Sequence, residues 1–321
     1  QRKTVATLER MSAQMGKTVF QGAGVALVTP MYPDLRINYS MLDQMIDRQL
    51  TGHTDAIVVV GTSGEGSTLT DEEHCEVVEH TVRRVNHRIP VIAGVGSNNT
   101  SHAVELSKGA ARAGADALLH VTPYYNKASQ RGLVQHFNAC ANATDLPVIL
   151  YNIPSRTGVN IQPETYLALC ENDRIVGVKE ASGNFSQMAT IAALCGDRLD
   201  IYSGNDDQTL PALALGAKGI ISVLSNLAPS VMHSICQSFF DGDVARSREL
   251  QLQYTNLMQA LFMDVNPIPV KQALCMMGMD VGPCRPPLCA MEKHDIEKLW
   301  SVLQQYCLSG NVHLFEGQSA R

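Results

Sequence analysis

Eight short apolar runs, separated by longer stretches with helical spacing, organise the chain from about residue 20 onward. The runs are rich in Val, Ile and Leu and do not alternate with polar residues, which is typical of parallel strands buried on both faces. The predicted strands are Gly24–Thr29, Ala56–Gly61, Val91–Val95, Ala117–Thr122, Val148–Asn152, Ile175–Glu180, Asp200–Ser203 and Gly219–Leu224.

The stretches between these strands predict helices, some of them with recognisable ends. Leu42 and Met45 follow the helical period, and Thr70 with Glu73 forms a capping-box pattern. A strand–helix unit repeated eight times predicts a (β/α)8 TIM barrel of the α/β class. An open doubly wound sheet is the alternative, but it more often has a glycine-rich fingerprint after its first strand, where this chain has TPMYP at residues 29–33.

The last part of the chain is mostly helical and is expected to form an appendage after one helix has closed the barrel. The sequence therefore predicts a (β/α)8 barrel over residues 19–242 and a C-terminal helical region over residues 243–310. Residues 1–18 are predicted to be a flexible N-terminal tail, and residues 311–321 a second tail.

Composition excludes several classes of partner. The 321 residues carry a net charge of −6, and no basic run interleaved with aromatic residues occurs, so we expect no nucleic-acid partner. No apolar stretch is long enough to cross a bilayer, so we expect no membrane association. The nine cysteines are odd in number, scattered and without a CxxC motif, which favours free thiols in a reducing cytoplasm.

The sequence shows no gathered set of metal ligands. The ten histidines are dispersed along the chain, so we expect neither a metal nor a metal-dependent mechanism. Asp206 and Asp207 follow the seventh strand and are compatible with a metal site. Since no histidine lies near them in the sequence, one of them as a helix N-cap is the favoured interpretation.

Lys179 is the first candidate for chemistry, because it ends the sixth apolar run. A lone lysine buried at a strand end is unfavourable as an ammonium ion, and a neutral amine can attack a carbonyl carbon to form a Schiff base. The alternative is a lysine with a buried stem and a head group in water.

Three other predicted strand ends carry polar side chains at the edge where barrel enzymes place their chemistry. Strand two runs into Gly61–Ser67, whose glycines and hydroxyls suit a small carboxylate or simply form a turn. Strand four is followed by Tyr124 and Tyr125, which suit either packing or proton transfer. Strand five ends near Tyr151 and Arg156, a phenol and a guanidinium that suit a keto acid, although an arginine exposed on a turn is the alternative.

Three of these segments together resemble a known family. GTSGE at Gly61–Glu65, YNIPSRTG at Tyr151–Gly158 and VKEASG at Val178–Gly183 are similar to the pyruvate-dependent class I lyases of the dihydrodipicolinate synthase and N-acetylneuraminate lyase family. The resemblance covers about residues 20–308. The arginine at position 156 resembles the synthase branch of the family, because sialic acid lyases usually carry no arginine at this position.

This resemblance implies a Schiff-base-forming lyase that condenses pyruvate with L-aspartate 4-semialdehyde, the first committed step of diaminopimelate and lysine biosynthesis. It implies no cofactor beyond the covalent lysine–pyruvate imine, a cytoplasmic location, and a homotetramer built as a dimer of dimers. Two alternatives stay open: another 2-keto-acid lyase or aldolase of the same family, and a non-catalytic barrel that senses a keto acid.

The resemblance also implies roles for individual residues. Lys179 would form the imine, Tyr151 would act as acid and base, and Thr62 would relay protons from Tyr151 to Tyr125 of a neighbouring subunit. The residues implied in substrate binding are Ser63, Arg156, Gly204 and Ile221.

The family's lysine-feedback site is only partly matched. His74, Asn98 and Tyr124 fit its pattern, whereas His102 stands where a glutamate would bind the effector's amine and Gly66 replaces a serine. A histidine supplies no fixed negative charge there. The sequence therefore predicts weak or absent inhibition by lysine.

Overall fold

The computed structural model describes residues 18–306 and shows a closed parallel barrel of eight strands in sequential order. The predicted (β/α)8 barrel is confirmed, and every observed strand overlaps the apolar run that predicted it. The strands are β1 Gly22–Ala26, β2 Ala56–Val59, β3 Val91–Gly94, β4 Ala117–Val121, β5 Val148–Asn152, β6 Ile175–Glu180, β7 Asp200–Ser203 and β8 Gly219–Ser222.

Helices alternate with the strands and surround the barrel. They are α1 Tyr39–Thr51, α2 Asp71–Val85, α3 Thr100–Arg112, α4 Gln130–Ala141, α5 Pro154–Thr157, α6 Pro163–Leu169, α7 Phe185–Cys195, α8 Thr209–Ala214, α9 Pro229–Phe240, α10 Val244–Ala260, α11 Ile268–Met276 and α12 Lys293–Gln305. The predicted capping box is confirmed at the start of α2, where Thr70 and Glu73 each bind the backbone N–H of the other.

The predicted boundary between barrel and appendage falls in the short turn between α9 and α10. Of the predicted N-terminal tail only residue 18 is described. The C-terminal tail and residues 307–310 of the helical region lie outside the described residues.

The strands are buried on both faces, which explains their continuous apolar sequences. One set of side chains, including Val58, Ile92 and Ile149, fills the barrel interior, whereas neighbours such as Ile57 and Val91 pack outward against the helices. Because side chains alternate along a strand, the inward set continues at the carboxyl ends of the strands with polar residues. The core thereby fixes which polar side chains point into the barrel.

The predicted helix N-cap at Asp206 or Asp207 is wrong. The helical turn that contains both residues, and α8 after it, have no side-chain cap. The carboxylate of Asp206 instead accepts hydrogen bonds from the backbone N–H groups of Val223 and Leu224, at 3.0 and 2.9 Å. The buried carboxylate thus accepts hydrogen bonds from amides that are distant in the sequence. A local sequence pattern cannot reveal such long-range partners.

Candidate active site

Lys179 and Tyr151 lie side by side inside the barrel. They are partners in the register of β6 and β5, and each is only 5% exposed. The Lys179 Nζ atom lies 4.4 Å from the centroid of the Tyr151 ring. The alternative of a lysine head group in bulk water is therefore wrong, and the amine and the phenol are buried at the same site.

Gly204 at the end of β7 provides the space for the lysine side chain. A Cβ atom at this position would lie 3.1 Å from Lys179 Cε and 2.6 Å from Ala181 Cβ. A side chain at position 204 would therefore collide with Ala181 and crowd the lysine.

Asp206 is the acidic group that interacts with Lys179 from the next strand end. Its carboxyl group is fully buried, and this burial raises its pKa, while the hydrogen bonds from Val223 and Leu224 and the charge of Lys179 oppose the rise. The sequence places this residue after a strand, but its interpretation as an N-cap missed its electrostatic interaction with Lys179.

The loop after β2 is a tight turn that presents Thr62 and Ser63 to the barrel mouth. The turn is tight at Gly66, where an added Cβ atom would lie 2.1 Å from the Val60 carbonyl oxygen. Glu65 has a left-handed backbone, with φ 54°, and its N–H donates to the Thr62 carbonyl at 3.2 Å. This geometry is compatible with both predictions for the segment, a plain turn and a cradle for a small carboxylate.

A buried ion pair fastens this loop to the C-terminal helices. The side chains of Glu65 and Lys271 are 1% and 3% exposed, and Lys271 Nζ donates to Glu65 Oε1 at 2.8 Å. The second Glu65 oxygen accepts from the backbone N–H of Arg285 at 2.7 Å. The appendage therefore fixes the loop that carries Thr62 and Ser63.

Asn266, in the turn before α11, joins two of the predicted substrate-binding residues. Its side-chain Nδ2 donates to Ser63 Oγ at 3.0 Å, and its backbone carbonyl accepts from Arg156 Nη2 at 3.2 Å. Arg156 is exposed and also lines the same cavity. Asn266 could not be found from the strand ends of the sequence, because this residue belongs to the C-terminal helical region.

These groups surround one narrow cavity at the carboxyl end of the strands. Its lining residues are Ala26, Val58, Gly61, Thr62, Ser63, Leu119, Tyr151, Ile153, Arg156, Lys179, Gly204, Asn205, Val223, Phe262 and Asn266. A wider hollow lies at the opposite end of the barrel, near Pro90 and Pro147, but it lacks the lysine and the phenol.

Two predicted site residues lie outside this cavity. Ile221 is fully buried in the apolar barrel interior on β8 and is not a lining residue. Tyr125 is 87% exposed, with φ 74°, and does not line the cavity of its own chain. The predicted proton relay through Thr62 to Tyr125 of a neighbouring subunit stays a prediction.

The residues of the predicted regulatory site lie on α2, α3 and the loops after β3 and β4, outside the cavity. His74 is buried, its Nε2 lies 2.7 Å from the Gly94 carbonyl oxygen, and burial lowers its pKa. His102 contacts Asp71 through Nε2 at 2.9 Å and Ser97 through Nδ1 at 3.2 Å. Asn98 accepts a hydrogen bond through its backbone carbonyl, and Tyr124 is half-buried in the next loop. A lysine-binding role for these residues stays a prediction.

Within residues 18–306, no group of three or more His, Cys, Asp or Glu side chains is arranged to hold a metal ion. The eight cysteines of that range are free thiols. None of the helices described is long and apolar enough to span a bilayer.

Comparison with known proteins assigns this site to a family. A sequence model of the dihydrodipicolinate synthetase family matches residues 19–306, which include the lysine, the tyrosine and the arginine. The chain belongs to this family. The resemblance inferred from the three sequence motifs is thereby confirmed, and the family consists of class I aldolase-type lyases.

Relatives at high identity agree with this assignment. The chain is 51% identical over 278 residues to the 4-hydroxy-tetrahydrodipicolinate synthase of Clostridium perfringens, covering 87% of this chain and 95% of that protein. Its fold matches the dihydrodipicolinate synthase of Aquifex aeolicus with a TM-score of 0.89 and 43% identity, over 91% of this chain and 100% of that one. The Acinetobacter baumannii enzyme, solved in complex with pyruvate, matches with a TM-score of 0.89 and 41% identity over the same shares of the two chains.

Proposed function

We propose that the chain is a 4-hydroxy-tetrahydrodipicolinate synthase, which condenses pyruvate with L-aspartate 4-semialdehyde in the first committed step of diaminopimelate and lysine biosynthesis. The observation that carries the proposal is the buried amine of Lys179, whose Nζ lies 4.4 Å from the ring centroid of Tyr151. The relatives named above support the choice of substrates.

The first half of the reaction uses Lys179 as a nucleophile. The Lys179 amine attacks C2 of pyruvate in its unprotonated form, and loss of water gives an imine. Tyr151 transfers protons to and from the adduct as the phenol whose ring lies 4.4 Å from the lysine nitrogen. Amides and hydroxyls of Thr62 and Ser63 hold the pyruvate carboxylate, and loss of a proton from C3 gives an enamine.

The second half forms the new carbon–carbon bond and releases the enzyme. The enamine carbon attacks the aldehyde carbon of aspartate semialdehyde, whose carboxylate is held by the Arg156 guanidinium. The substrate's amine then attacks the imine carbon, which closes the ring and returns Lys179 as a free amine. No cofactor beyond the covalent imine is required by these steps.

We also propose that the enzyme is cytoplasmic and works as a homotetramer, a dimer of dimers. The exposure of Tyr125 supports an assembly, because a proton relay through this phenol needs a neighbouring chain to bring it to a cavity.

A turnover assay with pyruvate and aspartate semialdehyde tests the function, with Arg156→Ala as the diagnostic variant. We expect the variant to lose about 100-fold or more in kcat/KM for aspartate semialdehyde, because it removes a bidentate carboxylate contact, while the pyruvate imine still forms. Imine formation without turnover in the unmodified protein would indicate another 2-keto-acid lyase. A chain that forms no imine at all would be a keto-acid sensor.

A further inference from the structure

Two cysteines lie together where helices α6 and α7 end. Cys170 directly follows α6, and Cys195 is the last residue of α7, which packs against α6. The Arg198 side chain joins the two helix ends. It donates through Nε to the Cys195 carbonyl at 3.4 Å and through Nη1 to Glu171 Oε1, next to Cys170, at 3.3 Å.

The two thiols are direct neighbours. A hydrogen bond between them lowers the pKa of Cys195, burial opposes this shift, and the charge of Arg198 adds to it. The same hydrogen bond raises the pKa of Cys170. Cys195 is 3% exposed, whereas Cys170 is half-buried, so the pair lies next to solvent. A thiol whose ionised form is stabilised, beside a second thiol, is the arrangement of redox-sensitive cysteines.

Other cysteines lack this arrangement. Burial raises the pKa of Cys140 to about 12 and also raises that of Cys236, so the reactive thiolate form is scarce at both positions. Cys289 is exposed in the C-terminal helical region, where no shift from an ordinary thiol favours its reaction.

We propose that Cys170 and Cys195 form a reversible disulfide when the protein meets a peroxide. The Cys195 thiolate attacks one peroxide oxygen and breaks the O–O bond, which gives a sulfenic acid and a hydroxide ion. The hydroxide takes up the proton that the Cys195 thiol released. The Cys170 thiol then attacks the oxidised sulfur, the S–O bond breaks, and the oxygen leaves as water. Two thiols and hydrogen peroxide thus give one disulfide and two water molecules.

The disulfide closes the segment that carries the reactive lysine. Residues 170–195 contain β6 with Lys179, and α6 and α7 both hold the Glu180 carboxylate, through Tyr166 Oη at 3.2 Å and Gln187 Nε2 at 3.4 Å. A crosslink across this segment restricts the unfolded chain, so the oxidised protein is more stable than the reduced one. Because reducing conditions reverse such a bond, it forms only under oxidation.

Peroxide treatment of the whole chain tests the inference, followed by alkylation of the remaining thiols and peptide mass spectrometry without reductant. We expect the peptide of Cys170 linked to that of Cys195 to be the most abundant disulfide, and dithiothreitol to remove it. The urea midpoint should be higher after oxidation. Pyruvate should still form an imine on Lys179, because the disulfide lies near the N-terminal end of β6 and the lysine near its carboxyl end.

Three variants serve as controls. Cys170→Ser and Cys195→Ser should each abolish both the link and the rise in the urea midpoint. Cys289→Ser removes an exposed thiol away from the pair and should keep both effects. Borohydride trapping of pyruvate on Lys179 reports in each variant that the barrel is folded.

Recovery of Cys170 and Cys195 as alkylated thiols, or a more abundant disulfide between other cysteines, would overturn the inference. A linked pair that leaves the urea midpoint unchanged would refute its stabilising effect. Neither result depends on turnover, so the proposed function stands or falls separately.

Discussion

At the scale of single residues, the environment of the reactive amine depends on three positions: Lys179, Gly204 and Asp206. The lysine is buried because the barrel interior surrounds it, and it has room because position 204 carries no side chain. The buried carboxyl group of Asp206, at the next strand end, interacts electrostatically with it. Each of these conditions depends on one residue, so single substitutions should separate them.

At the regulatory positions, one residue is expected to decide the response to lysine. Both ring nitrogens of His102 are engaged, by Asp71 and by Ser97, and no fixed carboxylate stands at this position. We therefore expect free L-lysine at millimolar concentration to change turnover by less than about twofold, since a partly exposed histidine–aspartate contact offers little to an ammonium ion.

His102→Glu should increase the sensitivity to lysine, measured as the inhibition constant, because it adds a fixed negative charge. His294→Glu, an exposed position on α12, is the matched control and should have no effect. A sub-millimolar inhibition constant for the unmodified enzyme would contradict the prediction.

At the scale of elements, the barrel alone does not hold the site. The β2–α2 loop is fastened by Lys271 of α11 and by the backbone of Arg285, and Asn266 comes from the turn before α11. The appendage therefore has a structural role in the substrate cavity.

Breaking the ion pair between Glu65 and Lys271 should lower the free energy of unfolding. We expect Lys271→Met to cost about 3–5 kcal/mol in urea denaturation, because it leaves the Glu65 carboxylate buried and unpaired. The double variant Glu65→Gln with Lys271→Met should regain part of this loss. Lys108→Met removes a solvent-exposed pair with Glu105 and should cause no measurable change. Equal effects of Lys271→Met and Lys108→Met would show that the buried pair contributes nothing.

A second element-scale prediction concerns acid stability. His120 on β4 contacts Ser107 on α3, and His136 on α4 contacts Thr100 on α3, so this layer is built around two buried histidines. Burial lowers the pKa of His120 to about 3 and that of His136 to about 4, from 6.5. The unfolded chain thus takes up protons first as the pH falls.

The histidine layer should therefore make the folded state less stable as the pH falls from about 6.5 to about 3. The urea midpoint, measured at several pH values, should fall less steeply in His120→Gln and His136→Gln than in the unmodified protein. The exposed His294→Gln variant should keep the original slope. Identical slopes in all four proteins would rule out this role.

At the scale of the whole molecule, the catalytic assembly is expected to require more than one chain. Tyr125 is 87% exposed and does not line the cavity of its own subunit. The proposed relay then joins Tyr125 of one subunit to Lys179 of another, and two differently inactivated subunits should complement each other.

Mixing Lys179→Ala subunits with Tyr125→Phe subunits should restore activity, since a hybrid contains one site with an intact lysine and a partner's intact phenol. Native mass spectrometry would verify that hybrids form. Confirmed hybrids with no gain over either variant alone would show that Tyr125 does not act across an interface.

The barrel and most of the site could be predicted from the sequence because their signals are local. Buried parallel strands are continuous apolar runs, and the strand-end rule led to Lys179 and Tyr151. Asn266 gave no local signal, because its role depends on contacts about two hundred residues away at Ser63. Asp206 was misinterpreted for the same reason, and Ile221 packs in the apolar interior where the resemblance implied a cavity position.

The central claim is that the amine of Lys179 forms an imine with pyruvate inside the barrel. Borohydride reduction in the presence of pyruvate, followed by peptide mass spectrometry, tests it most directly. We expect the mass of one reduced pyruvate on the peptide that carries Lys179, and none in the Lys179→Ala variant. An adduct on a different lysine, or no adduct at saturating pyruvate, would contradict the account.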